Sequence, residues 1–237
     1  MTKRVGQWAG LGGVLLMVLW TPASGQEQDP LPPMEIFQPD STALVSLLPP
    51  ELEAAAHSMR LGEYVTAAEE LRDHIARTEH DSTALIPLRL LAGVYMRMEA
   101  LEAALDVCSR ITQVDTMGVA PELALGLLYY RLGDLESAAL HYGNAILRDP
   151  ADSQAYLGMG WVHLKRRELE EAMSMATAVS ERAPDDDLNA ILIGRILTAQ
   201  GFYRNAADSY RRAFRLNVGL RERYGVLLQE LVLRHKL

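Results

Sequence analysis

Cysteine is almost missing from this sequence: its 237 residues contain one, Cys108. No internal disulfide can form, and no paired-cysteine zinc site either. Positive charge is in deficit, with 23 Lys and Arg against 31 Asp and Glu. The net charge of −8 disfavours nucleic acid and anionic lipid surfaces as general partners. The histidines, at 57, 74, 80, 141, 163 and 235, make no zincin-type pairing with a carboxylate. There is no Asn-x-Ser/Thr sequon. Nothing in the residues supports catalysis, so the expectation is a non-catalytic protein with no catalytic residue, no metal site and no cofactor. No stretch alternates apolar and polar residues for long enough to make a half-buried strand.

The apolar run near the N-terminus is short. Trp8–Trp20 is 13 uncharged, mostly apolar residues, whereas a membrane span needs about 20. Lys3 and Arg4 precede it, Thr21-Pro22 breaks it, and Ala23-Ser24-Gly25 offers small residues for cleavage before Gln26. That order is the order of a secretory signal peptide, residues 1–25. The expectation is an exported chain, periplasmic or secreted, with no membrane span after cleavage. The alternative is a chain tethered by an uncleaved signal anchor. No cysteine follows the run, which excludes a lipoprotein anchor, and the small residues favour a bacterial envelope protein. Loss of Lys3 and Arg4 leaves 21 basic against 31 acidic residues, a net charge of −10.

Proline is concentrated in the next segment. Six of the 11 prolines lie between residues 26 and 50, so residues 26–47 read as an extended linker. Met34, Ile36, Phe37, Leu44, Val45, Leu47 and Leu48 are apolar. Either they cover the exposed face of the chain's first repeat, or they dock in a groove until a partner displaces them.

What the sequence does have is a period. Alanine recurs at 67, 104, 138, 172 and 206, the last four 34 residues apart. With Leu85, Val119, Ser153 and Asp187 as first positions, other columns agree. The eighth is Ala92, Gly126, Gly160 and Gly194; the fifteenth is Glu99, Gly133, Arg167 and Gly201. The seventeenth is Leu101, Leu135, Leu169 and Tyr203; the twenty-fourth is Cys108, Tyr142, Ala176 and Tyr210. An earlier copy starts at Leu48. A fixed period of this length means an array of helix pairs rather than one enclosed core. Small residues at the eighth and twentieth positions let two helices approach. Gly62, Gly133 and Gly201 sit where a first helix should end in a left-handed cap. Pro87 and Pro121 fall in a first turn, Pro150 and Pro184 after a last one. Asp152 and the run Asp185 to Asp187 supply capping oxygens. Residues 221–237 continue the helical pattern, with Leu227, Leu228, Leu231 and Leu233, and suit a capping helix.

The best copy reads Glu122, Leu125, Gly126, Tyr129, Gly133, Leu135, Ala138, Tyr142, Ala145, Pro150. It resembles the tetratricopeptide repeat family, with Glu and Leu replacing two bulky aromatics. The next copy adds Tyr156, Met159, Gly160, Ala172 and Pro184. The resemblance covers residues 48–220, about five repeats. It implies an all-α, right-handed superhelical solenoid of helix-turn-helix repeats, a scaffold for a protein or peptide partner. It further implies a concave surface lined by first helices. The candidate peptide-binding residues there are Arg89, Met96, Leu123, Leu127, Tyr130, Leu157, Trp161, Leu164, Ile191 and Arg195. The family's clamp for a C-terminal carboxylate, Lys at the fifth position and Asn at the ninth, does not match. Arg60, Arg97, Arg131 and Lys165 repeat at the thirteenth position as a basic column. Trp161 is either an open platform for a ligand or a packing residue between repeats. The functional expectation is an extracytoplasmic adaptor that holds a helix or peptide of an envelope partner. The alternative is a structural subunit of a secretion or polymer-assembly complex.

Overall fold

The structure, a computed structural model, describes residues 50–78 and 85–236. The expected leader at 1–25, the expected linker at 26–47, the start of the first repeat at Leu48 and residues 79–84, with His80, lie outside the described residues.

After a short 3-10 turn at Pro50–Leu52, the described residues form helices in pairs. They are α1 (Glu53–Arg60) with α2 (Tyr64–Arg77), and α3 (Leu85–Arg97) with α4 (Leu101–Val114). Next come α5 (Val119–Leu132) with α6 (Leu135–Arg148), and α7 (Ser153–Lys165) with α8 (Leu169–Arg182). The last pair is α9 (Asp187–Ala199) with α10 (Tyr203–Leu216), and α11 (Leu220–His235) closes the array. There is no strand among the described residues. Each helix packs principally on the helices beside it in the chain and on the nearest member of its own layer. This is an all-α solenoid.

The small-residue columns are where each pair closes. Ala67, Ala104, Ala138, Ala172 and Ala206 are all 0% exposed. On the facing helix the eighth position allows no more bulk. A Cβ on Gly194 would stand 2.6 Å from the Tyr210 ring, and one on Gly160 2.7 Å from Leu192. The twenty-fourth column fills the space beside that contact: Cys108, Tyr142, Ala176 and Tyr210 are buried. Cys108 is therefore a packing residue. Burial pushes its thiol up to about 12, so it stays a neutral thiol with little nucleophilic character.

Arginines tie the second helix of a repeat to the turn that enters it. Arg148 and Arg182 occupy the thirtieth position of successive repeats. Arg148 donates to the Gly118 carbonyl at 2.6 Å, and Arg182 donates from Nε to the Pro150 carbonyl at 2.9 Å. Arg182 also lies 4.1 Å over the Tyr156 ring. Arg212 donates to the Pro184 carbonyl in the same manner. Each arginine thus reaches from the end of a second helix to the turn before its own first helix. Asp152 and Asp186 cap α7 and α9 by accepting backbone N–H bonds, at 2.7 Å from Gln154 and 2.7 Å from Asn189. The acidic run 185–187 is thereby a capping turn. Burial is the main influence on Asp186 and raises its carboxyl above the usual range.

The joints inside the repeats share one conformation. Gly62, Gly133 and Gly201 have φ of 76°, 86° and 84°, as left-handed caps require. Glu99 and Arg167 hold the same place with φ of 57° and 66°, although both have side chains. At each of the five joints the next N–H turns back to the first helix, as with Glu168 to the His163 carbonyl at 2.9 Å.

Two expected outcomes test this packing. Ala172→Leu should overpack the α7–α8 contact and cost roughly 1–3 kcal/mol in urea unfolding. Arg167→Gly should do the reverse. The left-handed conformation costs an L-residue roughly 1–2 kcal/mol, partly offset by the extra freedom glycine gives the unfolded chain. A net gain of about 0.5–1 kcal/mol is expected, and a loss of stability would show the joint is unstrained.

Candidate functional site

The first helices carry more apolar surface than helix pairing uses. On α5 the residues Leu123, Leu127 and Tyr130 follow each other at spacings of four and three, so they form one stripe. Leu157, Trp161 and Leu164 repeat it on α7, and Ile191 continues it on α9. At 100° per residue this stripe lies about 40–100° round the helix from Gly126, Gly160 and Gly194, on the face next to the one that meets the second helices and the neighbouring repeat. A helix apolar on all sides is one buried on all sides. That holds here: all seven stripe residues are buried, Trp161 at 2% exposure and Ile191 at 0%. Of the ten candidate residues only Arg89, Met96 and Arg195 keep partial exposure. An open aromatic platform at Trp161 is therefore not what the chain presents. The side chain sits inside an apolar row, and its indole N–H has no hydrogen-bond acceptor among the described residues.

Charged groups border the row. Arg89 is engaged with Asp115 at 2.7 Å, from α3 to the turn after α4. Lys165 Nζ stands 4.5 Å over the Tyr130 ring, which ties the thirteenth position of one repeat to the twelfth of the repeat before. Arg60, Arg97 and Lys165 are exposed, and Arg131 is half-buried. The basic column is thus real as a surface feature and borders the apolar row at Tyr130.

The sequence reading missed a polar cluster between α5 and α6. Glu122 is 4% exposed. Its carboxylate accepts from Arg148 at 2.7 Å, His141 Nδ1 lies 2.8 Å away, and the Asn144 amide donates at 3.3 Å. The His141 ring stacks flat against Tyr129, with centroids 5.3 Å apart and planes at 4°. An acid and an imidazole side by side are the parts of a proton-transfer pair. Here Arg148 and Asn144 take up the carboxylate, and the ring is held under Tyr129, so the cluster acts as a bridge between helices. The signal was present: a glutamate in a column where this repeat pattern has a bulky residue. Gly158-Met159-Gly160 lies within α7, where Gly158 meets the Tyr142 ring and Gly160 meets Leu192, so it is a packing feature. Among the described residues no group of three or more His, Cys, Asp and Glu side chains could hold a metal ion. No described helix is long and apolar enough to cross a membrane.

Comparison with known proteins agrees with this geometry. Residues 123–187 match the sequence model of the tetratricopeptide repeat family. BBSome complex member BBS4 of Bos taurus is 24% identical over 128 residues, which is 52% of this chain and 24% of that protein. The chain thus matches about a quarter of that relative's length. Among solved structures, TTC0263, a thermophilic TPR protein in Thermus thermophilus, superposes with a TM-score of 0.60 at 19% identity, covering 76% of this chain and 97% of that one. YrrB, a TPR protein with an unusual peptide-binding site, superposes at 0.54 with 19% identity, covering 71% and 85%. The alanine column, the left-handed joints, the paired helices and these likenesses converge: the chain is a tetratricopeptide repeat protein, built on a scaffold for protein–protein interaction.

Proposed function

We propose that this chain is a non-catalytic, extracytoplasmic adaptor whose concave helix layer takes an apolar helix or extended peptide from an envelope partner. The observation that carries the reading is the apolar stripe on α5, α7 and α9. The stripe carries Leu123, Leu127, Leu157, Trp161 and Ile191 rather than polar groups, and all five are buried in this structure, so a ligand reaches them only where this helix layer opens. Large side chains of this kind are the anchors of interfaces. The peptide-binding site of YrrB, on a similar array, supports a peptide as the ligand class. The basic column beside the stripe favours a partner segment with acidic flanks. Export is supported by the order of residues 1–25, a basic start, an apolar run and small residues before Gln26.

One observation favours a second reading, a structural subunit of a secretion or polymer-assembly complex. Leu140 and Leu147 lie seven residues apart on α6 and are 62% and 81% exposed. They place an apolar strip on the outer helix layer, where a neighbouring subunit could grip it.

Affinity capture from the envelope fraction with two variants separates the readings. Lys165→Glu alters the border of the concave stripe without touching the core. Leu147→Asp alters the outer strip. The adaptor reading expects capture to fall at least tenfold, about 1.4 kcal/mol, with Lys165→Glu and to survive Leu147→Asp. The opposite pattern, with one stoichiometric complex lost on Leu147→Asp, establishes the subunit. In either case the captured chain should begin at or near Gln26, and N-terminal sequencing that finds Met1 establishes a signal anchor.

A further inference from the structure

We infer that the edge where the first three repeats turn from first helix to second docks an amphipathic helix of a partner protein, one with an apolar residue every seven positions, acid on one flank and base on the other. This surface is separate from the buried row on the first helices, and the inference does not rest on the reading of that row.

The sequence of the joints is the first observation. The first three read Arg60-Leu61-Gly62-Glu63, Arg97-Met98-Glu99-Ala100 and Arg131-Leu132-Gly133-Asp134. Each sets a base, an apolar residue and an acid in the same order across the turn. The apolar member is open: Leu61 is 59% exposed, Met98 37% and Leu132 42%. The fold does not require it, since the fourth and fifth joints carry Arg166 and Gln200 at the same place. A single exposed leucine is ordinary, whereas one repeated in register at three successive joints makes a stripe. The stripe ends at the fourth joint, where Arg166 turns back and donates to the Leu135 carbonyl at 2.8 Å.

Charge is the second observation. On the first-helix side Arg60 and Arg97 are exposed and Arg131 is half-buried. On the second-helix side stand Glu63, Glu99 and Asp134, then Glu102 on α4 and Glu136 on α6, all exposed. Hydrogen bonds from the Ser137 hydroxyl and backbone N–H hold the Asp134 carboxyl below its usual range, so it stays ionised. Charge therefore changes sign across the stripe. A partner of one sign is attracted on one side and repelled on the other, while a segment with opposite signs on its two flanks is matched on both. Paired helices place their flanking charges in this way.

Spacing selects a helix over an extended peptide. Neighbouring helix layers lie about 10 Å apart, so the apolar residues recur along the edge at about that interval. Seven residues of an α-helix rise about 10.5 Å and return to nearly the same face. Three residues of an extended chain also rise about 10 Å, but the third side chain points to the opposite face.

The test titrates the full chain into a fluorescently labelled synthetic helix of 21 residues and follows anisotropy. The peptide carries leucine at every seventh position, lysine three residues and glutamate four residues after each leucine, and alanine elsewhere, which puts the two charges on opposite flanks. Two control peptides carry only glutamate or only lysine at the flanking positions. The inference expects the two-signed peptide to bind at least tenfold more tightly than either control, a comparison that leaves the protein unaltered. Leu61→Asp with Leu132→Asp should weaken it at least tenfold with unchanged helical circular dichroism, and Gln200→Asp, at the same place in the fifth joint, should leave it within twofold. Three results overturn the inference: no binding or equal binding of the three peptides, binding that the Leu61 and Leu132 substitutions do not change in a folded chain, or a concentration-dependent self-association that those substitutions abolish, which would make the edge a contact between copies.

Discussion

Two helices that meet across alanine and glycine cannot drift apart or rotate without losing the fit of the large rings packed beside them. Ala206 and Gly194 let α9 and α10 close, and Tyr210 then fills the only space left next to Gly194. The same closure recurs at Ala138 with Gly126 and Tyr142, and at Ala172 with Gly160. The spacing between layers, the direction of each turn and the position of the outward faces all follow from it. The arginines that return to carbonyls at Gly118, Pro150 and Pro184 depend on it too. They reach those turns only because the second helix of each repeat is held at one distance and one angle.

The repeat period made most of this legible from residues alone. Helix pairing, the buried alanines, the glycine caps at 62, 133 and 201, the proline punctuation and the capping aspartates are local or nearest-neighbour features, and a 34-residue period records such features directly. The candidate residues on α5, α7 and α9 were legible as positions, since register assigns each to a face. Their burial was not, because the register of one helix says nothing of what lies over its third face. The Glu122 cluster was hidden for a related reason. Its partners His141 and Arg148 come from a different helix, and only the distance between α5 and α6 turns three polar residues into one bridge.

The chain spends its polar groups at two places. Inside the array they fasten the two helices of a repeat, as Glu122 does with Arg148 and Arg89 with Asp115. On the borders they form the basic column from Arg60 to Lys165. A scaffold for protein–protein interaction fits this division: rigidity inside, and on the first helices an apolar row with charge at its border.

The five left-handed joints also make the array a spring of unequal coils. Glycine rests at ease in the joints at 62, 133 and 201, whereas Glu99 and Arg167 hold the joints of the second and fourth repeats in a conformation their side chains resist. Joints in series carry the same tension, so the two that already hold strain, where α3 meets α4 and where α7 meets α8, are the first to leave the left-handed conformation when the array is pulled or locally opened.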